Sequence, residues 1–293
     1  MHRFYKILLC SGVNFKKWII TPRIYVIFAI MIIFEYYAFS TIPQIAAYYG
    51  VNASPWVFPF FLGNPSMFII IGSMTALFYC NAPFADRHMP FLVIRTGQRN
   101  WIIGQLLYIY FSSFLYTACL LVLSVVMLIP RIHFTTDWGT LLNTITQSPI
   151  EVMEQVGVNI GFLVNDEMLA LLSPIEATVL AFVMFWLVTA FIGVLVCSFN
   201  IVIGKMSGII AAGVFTCIAY FSAVLGAITI GRWLLYISPI SWSCISYLDW
   251  YGTGNVPSPV FAIISLLGTI ILLSLISVIV FCKKDLDIQK GDF

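Results

Sequence analysis

One acidic residue lies deep in an apolar part of the sequence, where an ionisable side chain is costly and often functional. Glu35 stands between Phe34 and Tyr36 in the largely apolar run 24–43. At 1.5 Å per helical residue it lies roughly 18 Å from the start of that run. Glu35 is therefore our candidate for a substrate or ion pathway. A protonated acid that packs against Tyr36, Tyr37 or a neighbouring helix explains the residue equally well.

The chain lacks the sequence patterns of the common catalytic sites. The segment Gly204-Lys205-Met206-Ser207 has neither the upstream glycine nor the Ser or Thr next to the lysine that a phosphate-binding loop needs. The three histidines are far apart in the sequence, and the seven cysteines stand singly, without metal-ligand spacing. We therefore expect no enzyme activity, no cofactor, no metal and no nucleic-acid partner for this chain.

The stretch 83–100 mixes both charges with an apolar patch on a short connector. A loop that only sets membrane orientation needs the arginines but not the large apolar side chains. The pattern instead predicts a short interfacial helix that presents anchors to another protein. The residues of this patch are Phe84, Asp86, Arg87, Met89, Phe91, Leu92, Ile94 and Arg95.

These candidate residues must be positioned by membrane-spanning helices. Hydrophobic residues make up 61% of the 293 residues, charged residues 9%, and the mean hydropathy is +1.01. A hydrocarbon core about 30 Å thick needs roughly 20 apolar helical residues to cross it. The sequence therefore predicts an all-α polytopic membrane protein with a single transmembrane domain. Its six spans are predicted at 24–43, 65–82, 101–128, 174–199, 207–230 and 259–282.

The distribution of positive charge predicts the orientation of these spans. All of the 14 Lys and Arg residues except Arg131 and Arg232 flank the spans on one side, if six spans are counted. Cytoplasmic loops carry the excess of Lys and Arg, so both termini are predicted to be cytoplasmic. Counting the apolar stretch within 231–258 as a seventh span would put Lys283 and Lys284 outside. We therefore predict an outer re-entrant hairpin at 231–258 and a cytoplasmic tail at 283–293.

Three further segments have their own predicted roles. Residues 1–23 alternate basic and apolar side chains, which is typical of an interfacial helix that anchors the chain or docks a partner. The acidic outer loop 131–173 has Val152, Val156, Ile160 and Leu163 at helical spacing, which predicts a small helical cap. Small residues that begin at Gly204 and Gly208 line one face of the fifth span; they predict close packing inside the bundle or, alternatively, a subunit interface.

Two sequence segments resemble those of a known family. They are the run from Arg95 to Trp101, followed by Gly104-Gln105 at the start of the third span, and Ser238-Pro239-Ile240-Ser241-Trp242 in the outer hairpin. With the amphipathic N-terminal helix and six spans, they make the chain similar to the permease subunits of type-2 ABC (ATP-binding cassette) exporters. The architectural resemblance extends over nearly the whole chain.

The resemblance implies a dimer of permeases, with a second copy or a homologous chain, bound to separate nucleotide-binding ATPase subunits. ATP and Mg would bind in those partner subunits, and their hydrolysis would drive export of a lipid, a drug-like molecule or a peptide. The implied location is a bacterial plasma membrane. Residues 1–23 correspond to the family's elbow helix, and 83–100 to its coupling loop. The implied ATPase contacts are Ala85, Asp86, Arg87, His88 and Met89, flanked by Arg95 and Arg99.

Other classes of function stay open at the level of sequence. An ion-coupled secondary transporter would use Glu35 and need no ATPase, although such proteins usually carry more than one intramembrane ionisable group. A non-catalytic sensor or immunity subunit, a receptor subunit or a membrane enzyme would also fit an apolar chain. Reconstitution of the chain alone and with an added ATPase separates these classes.

Overall fold

The structure, a computed structural model, describes residues 2–85, 89–162, 166–226 and 231–283. Within these ranges the regular structure is helical, apart from one isolated β-bridge between Ala53 and Ile132. The α-helices are α1 His2–Lys16, α2 Pro22–Phe39, α3 Thr41–Tyr49, α4 Ser66–Tyr79, α5 Met89–Thr96, α6 Gln98–Val126, α7 Gly139–Gln147, α8 Pro149–Val156, α9 Asp166–Leu171, α10 Pro174–Val202, α11 Ser207–Leu225 and α12 Pro259–Lys283.

Five helical segments in the described ranges are long and apolar enough to cross a membrane. They are Pro22–Tyr49, which joins α2 and α3, and the helices α6, α10, α11 and α12. The all-α architecture of a polytopic membrane protein, predicted from composition, is therefore the architecture found. The predicted fifth span 207–230 corresponds to α11, and its residues 227–230 lie outside the described ranges.

The helical segment does not end at Pro43, the predicted end of the first span. Ser40 follows α2 with a right-handed helical backbone, and the chain continues as α3 to Tyr49, where Gly50 ends the helix with a positive φ of 66°. Pro43 occupies the third position of α3. A proline is tolerated in the first turn of a helix because the backbone N–H that it lacks would have no partner there.

The predicted second span 65–82 contains only the 14-residue helix α4. At 1.5 Å per residue, α4 is about 21 Å long, which is less than the thickness of a hydrocarbon core. The preceding segment is buried by the protein itself, with Phe58, Phe60 and Phe61 each at most 4% exposed. This shows why α4 falls short of spanning length: part of the apolar stretch before it forms a buried turn instead of a helix.

Helix α10 is the centre of the bundle and packs against α4, α6, α11 and α12. Its first turn is fixed by a capping box between Ser173 and Glu176. Small residues let its neighbours approach closely. A Cβ on Gly193 would lie 2.6 Å from Ile109 of α6, and one on Gly208 of α11 would lie 2.3 Å from a backbone oxygen of α10.

The small-residue face of α11 is used inside the bundle. Gly208, Ala212, Ala219 and Ala223 lie on the buried side of α11, which packs against α4 and α10. A Cβ on Gly72 of α4 would meet the side chain of Thr216 at 2.5 Å. Of the two alternatives, close packing within the bundle is therefore the one that the structure supports.

The two ends of the bundle differ in charge. At one end lie α1, the start of α2, the end of α4, α5, the start of α6 and the end of α12, where Trp101 stacks on Phe281 with ring centroids 5.0 Å apart. Among the described residues, every Lys and Arg except Arg131 and Arg232 belongs to this end, which we call the basic end.

The opposite end is covered by the segment 131–173. As predicted, this segment is helical in part, in α7, α8 and α9. The predicted continuation of this helix from Val156 to Ile160 is wrong, because Gly157 ends α8 with a φ of 71° and Ile160 lies outside any helix. Leu163 lies outside the described ranges. The cap is attached to α3 through a hydrogen bond of 2.7 Å from the Tyr49 hydroxyl to the Gln155 side-chain oxygen.

The segment 231–258 also lies at the opposite end and contains only short 3-10 turns. Its irregular backbone is covered by α10 and α11, and the stretch from Ile240 to Ile245 is at most 5% exposed. Its side chains bond to its own backbone, as in the 2.7 Å hydrogen bond from Trp242 Nε1 to the Leu235 carbonyl oxygen. Non-helical backbone at membrane depth is tolerated only when protein covers it in this way.

Candidate functional site

The connector between α4 and α6 contains the short helix α5 at the basic end. The Thr96 hydroxyl donates to the Leu92 carbonyl oxygen at 2.6 Å, within the last turn of the helix. Gly97 then adopts a φ of 86°, a conformation that favours glycine, and α6 begins at the next residue. The sharp corner at Gly97 sets the direction of α5 relative to the long helix α6.

Helix α5 has one buried face and one exposed face. Met89 and Val93, four residues apart, are 3% and 6% exposed. Phe91 and Ile94 are 68% and 72% exposed, and Arg95 is also exposed. Residues at positions i, i+3 and i+4 share a face of a helix. The exposed face therefore combines two large apolar side chains with one cation.

Helix α1 supports α5 by packing across the start of α6. Helices α1 and α6 meet at Gly104 of α6, where an added Cβ would lie 2.6 Å from Cys10 Cβ and 2.9 Å from the Ile7 carbonyl oxygen of α1. The Lys6 ammonium donates to the Arg95 carbonyl oxygen at 3.3 Å. Helices α1, α5 and α6 thus form one packed unit at the basic end.

Asn200, at the end of α10, links the start of the connector to the core of the bundle. Its side-chain nitrogen donates to the Ala82 carbonyl oxygen at 2.8 Å. Its side-chain oxygen accepts the backbone N–H of Gly208 at 2.9 Å. The turn after α4 is therefore tied to both α10 and α11. Sequence reasoning missed Asn200; its only signal is a polar amide at the end of a long apolar run.

The residues predicted to contact an ATPase subunit differ in how far they are exposed. Ala85 is half-buried and precedes α5, whereas Met89 begins α5 and its side chain points into the protein. Met89 is therefore not available to a partner in this conformation, because its apolar side chain packs with the hydrophobic core. Arg95 and Arg99 are exposed at the basic end. Asp86, Arg87 and His88 lie outside the described residues.

Glu35 lies on the buried face of α2. Ile27, Met31 and Ala38 share this face at helical spacing, and all of them, with Glu35, are 0% exposed. Neither carboxyl oxygen of Glu35 has a hydrogen-bond partner among the described residues. A charged carboxylate in such a place would be very costly, which favours the neutral carboxylic acid.

Two further polar side chains lie near Glu35 in the interior of the bundle. The Tyr116 hydroxyl of α6 interacts electrostatically with the Glu35 carboxyl and faces the Thr75 hydroxyl of α4. Neither hydroxyl makes a hydrogen bond of regular geometry with any described residue. Glu35, Thr75 and Tyr116 thus form a buried polar cluster. Sequence reasoning singled out Glu35 but missed Thr75 and Tyr116, since the three residues belong to three separate helices.

The described residues contain no group of three or more His, Cys, Asp or Glu side chains close enough to hold a metal ion. Comparisons of the chain with protein-family models, with curated proteins and with solved structures found no match. The resemblance to type-2 ABC exporters therefore depends on the residues of this chain alone.

Proposed function

We propose that this chain is the transmembrane permease subunit of an ATP-driven exporter of the type-2 ABC class. In this proposal its six spans comprise α2 with α3, α4, α6, α10, α11 and α12. Helix α1 is the elbow at the membrane surface, and 231–258 is the outer re-entrant hairpin. The basic end faces the cytoplasm of a bacterial cell, following the excess of Lys and Arg there.

The observation that carries the proposal is the exposed face of α5. Phe91, Ile94 and Arg95 present an apolar and cationic anchor on the connector between the second and third proposed spans. A soluble nucleotide-binding ATPase with a matching pocket is the partner that this position suits. ATP and Mg bind in that partner, because this chain carries no phosphate-binding loop.

The contacts around α5 offer a route by which a movement of the ATPase subunit reaches the membrane helices. A displacement of α5 is passed to α6 through the short corner at Gly97, and to α1 through Lys6. The turn before α5 connects to α10 and α11 through Asn200. In the proposed dimer, with a second copy or a homologous chain, these helices move together and open the pathway for a lipid, a drug-like molecule or a peptide.

The experiment is reconstitution of the full chain in lipid vesicles, alone and with a co-expressed ATPase. Phe91→Ala and Ile94→Ala together are expected to reduce the stimulated ATP turnover about tenfold or more, as loss of a central anchor does at an interface. Phe134→Ala is the matched control, because Phe134 is 73% exposed but lies at the opposite end. Full stimulation after the double substitution would contradict the proposal.

The buried polar cluster favours one alternative, an ion-coupled transporter in which Glu35 holds a proton or a cation. Glu35 points into the protomer and does not lie on its surface. Under the favoured proposal, it is a structural acid outside the dimer pathway. Transport by the isolated chain, dependent on an ion gradient and lost on Glu35→Gln, would select the alternative.

A further inference from the structure

A small cavity opens at the basic end, between the end of α1, the start of α2 and the end of α4. Its volume is about 150 Å³. Its lining includes the polar residues Asn14, Lys17, Thr21, Arg23 and Asn81 and the apolar or aromatic residues Trp18, Ile24 and Phe78. The cavity is independent of the exposed face of α5.

Two cationic side chains line this cavity. The Arg23 guanidinium is held by the Cys80 sulfur through Nη1, while its Nε is buried and has no hydrogen-bond partner among the described residues. The Lys17 ammonium donates to the Asn14 side-chain oxygen at 3.2 Å. Both cations thus line the same small space, and the buried Nε–H of Arg23 makes no hydrogen bond with any described residue. Guanidinium and ammonium groups so arranged suit a phosphate group.

The start of α2 adds to the positive potential of the cavity. Thr21 precedes Pro22, the first residue of α2, and its hydroxyl donates to the Lys17 carbonyl oxygen at 2.7 Å. The Thr21 side chain therefore does not cap the amino end of α2. The partial positive charge of a helix amino terminus favours an anion.

The depth of the cavity indicates what kind of phosphate is nearby. The cavity lies where the first apolar segment long enough to cross a membrane begins, so it falls at the level of lipid headgroups. The Trp18 indole N–H donates to the Tyr108 hydroxyl at 2.7 Å, with its ring against the cavity. Trp and Tyr are typical of this interfacial layer.

We propose that this cavity binds a phosphate group, which an anionic phospholipid headgroup supplies from the membrane or a soluble phosphate supplies from solution. The chain's own Asp86 carboxylate is a competitor for this cavity, and the test must distinguish it from a lipid phosphate and from a soluble phosphate. Asp86 follows Ala85, which lines the cavity, but lies outside the described residues. Its carboxylate is the acid nearest in sequence to this part of the lining.

The test uses the purified full chain in nanodiscs of phosphatidylcholine with a varied fraction of phosphatidylglycerol. Native mass spectrometry counts the phosphatidylglycerol retained. In a second arm, inorganic phosphate is titrated in neutral detergent against the thermal unfolding midpoint. Arg23→Gln is expected to weaken retention about tenfold, the effect of losing one charge-assisted hydrogen bond. Arg23→Lys keeps the charge and is expected to retain part of the binding, and Arg99→Gln is the matched control at the same end.

Retention of phosphatidylglycerol that depends on Arg23 but not on Arg99 supports the proposal with a lipid source. Stabilisation by inorganic phosphate without retention of phosphatidylglycerol supports the proposal with a soluble source, if that stabilisation depends on Arg23 but not on Arg99. Equal losses for Arg23→Gln and Arg99→Gln, or no binding in either arm, would overturn it. Binding that arises only in Asp86→Asn would also overturn it, since the chain's own carboxylate would then occupy the cavity. No ATPase is needed, so the result is separate from the proposed function.

Discussion

Asn200 and Ala82 are 118 positions apart in the sequence, and the Asn200 side-chain nitrogen lies 2.8 Å from the Ala82 carbonyl oxygen. The same amide accepts the backbone N–H of Gly208. One side chain therefore holds together the turn that leads towards α5 and the start of α11. Under the proposed function, a displacement of the connector would be transmitted to the core, because these bonds join rigid elements.

Asn200→Ala is expected to reduce the free energy of unfolding by about 1–3 kcal/mol, because it leaves the buried Ala82 carbonyl and the Gly208 N–H without their partner. The measurement is denaturant unfolding of the purified chain in detergent micelles. Asn143→Ala serves as the control, since Asn143 is exposed in α7. Equal stability of the two variants would show that the Asn200 bonds contribute nothing.

The close approach of α1 to α6 predicts that Gly104→Ala destabilises the chain. The new Cβ would lie 2.6 Å from Cys10 Cβ, so α1 must shift, at a cost of about 1–3 kcal/mol. Gly213→Ala is the matched control within a helix, because nothing lies within 4 Å of its added Cβ. That control is expected to be neutral or to stabilise by up to about 1 kcal/mol through helix propensity. Thermal unfolding of both variants provides the comparison.

Glu35→Gln is expected to leave stability within about 1 kcal/mol of the original, because an amide matches a protonated carboxyl in shape and polarity. Glu35→Lys places a cation at the same buried position and is expected to cost about 3 kcal/mol or more. The measurements are the yield of folded protein and ATP-dependent transport after reconstitution. A folded Glu35→Gln protein that has lost transport would contradict a purely structural role.

Asp249 is expected to make the stability of the segment 231–258 depend on pH. The backbone N–H of Gly254 donates to its carboxylate at 2.7 Å, and such bonds hold the pKa of Asp249 below its ordinary value of 3.8. A lowered pKa means that the carboxylate stabilises the folded state above that ordinary value. The stabilisation is lost as the pH falls through the lowered pKa.

Asp249→Asn is therefore expected to flatten the acid side of the stability profile without changing its slope near neutral pH. Thermal unfolding midpoints recorded from about pH 6 down to about pH 3 provide the measurement. Asp137→Asn in the cap is the control. An unchanged acid slope in Asp249→Asn would show that the turn at 249–254 does not depend on the charged carboxylate.

The sequence predicted those features that depend on local composition. Apolar runs and the positions of Lys and Arg sufficed for the helical class, because span length and positive charge are local signals. The continuation of the helical segment through Pro43 could not be predicted, since a proline fits either the end of one helix or the first turn of the next. The 14-residue length of α4 depends on a buried turn that only tertiary packing creates.

The candidate site was predictable in its location but not in its orientation. The apolar and charged pattern in 83–100 pointed to a helix, and α5 forms within that stretch. Which side chains face outwards depends on how α5 rolls against α1 and α6, so Met89 and Phe91 could not be assigned from periodicity over eight residues. Likewise, Tyr116 lies near both Thr75 and Glu35 only because three helices converge.

The segment Pro22–Tyr49 has 28 residues and is about 42 Å long at 1.5 Å per residue, longer than a hydrocarbon core of about 30 Å. A segment longer than the hydrocarbon core crosses it at a tilt or extends beyond it. This one ends in the paired rings of Tyr48 and Tyr49, with Tyr48 59% exposed. An antibody fragment directed at Tyr48 would therefore bind the segment at its end, at the opposite end of the bundle from α5.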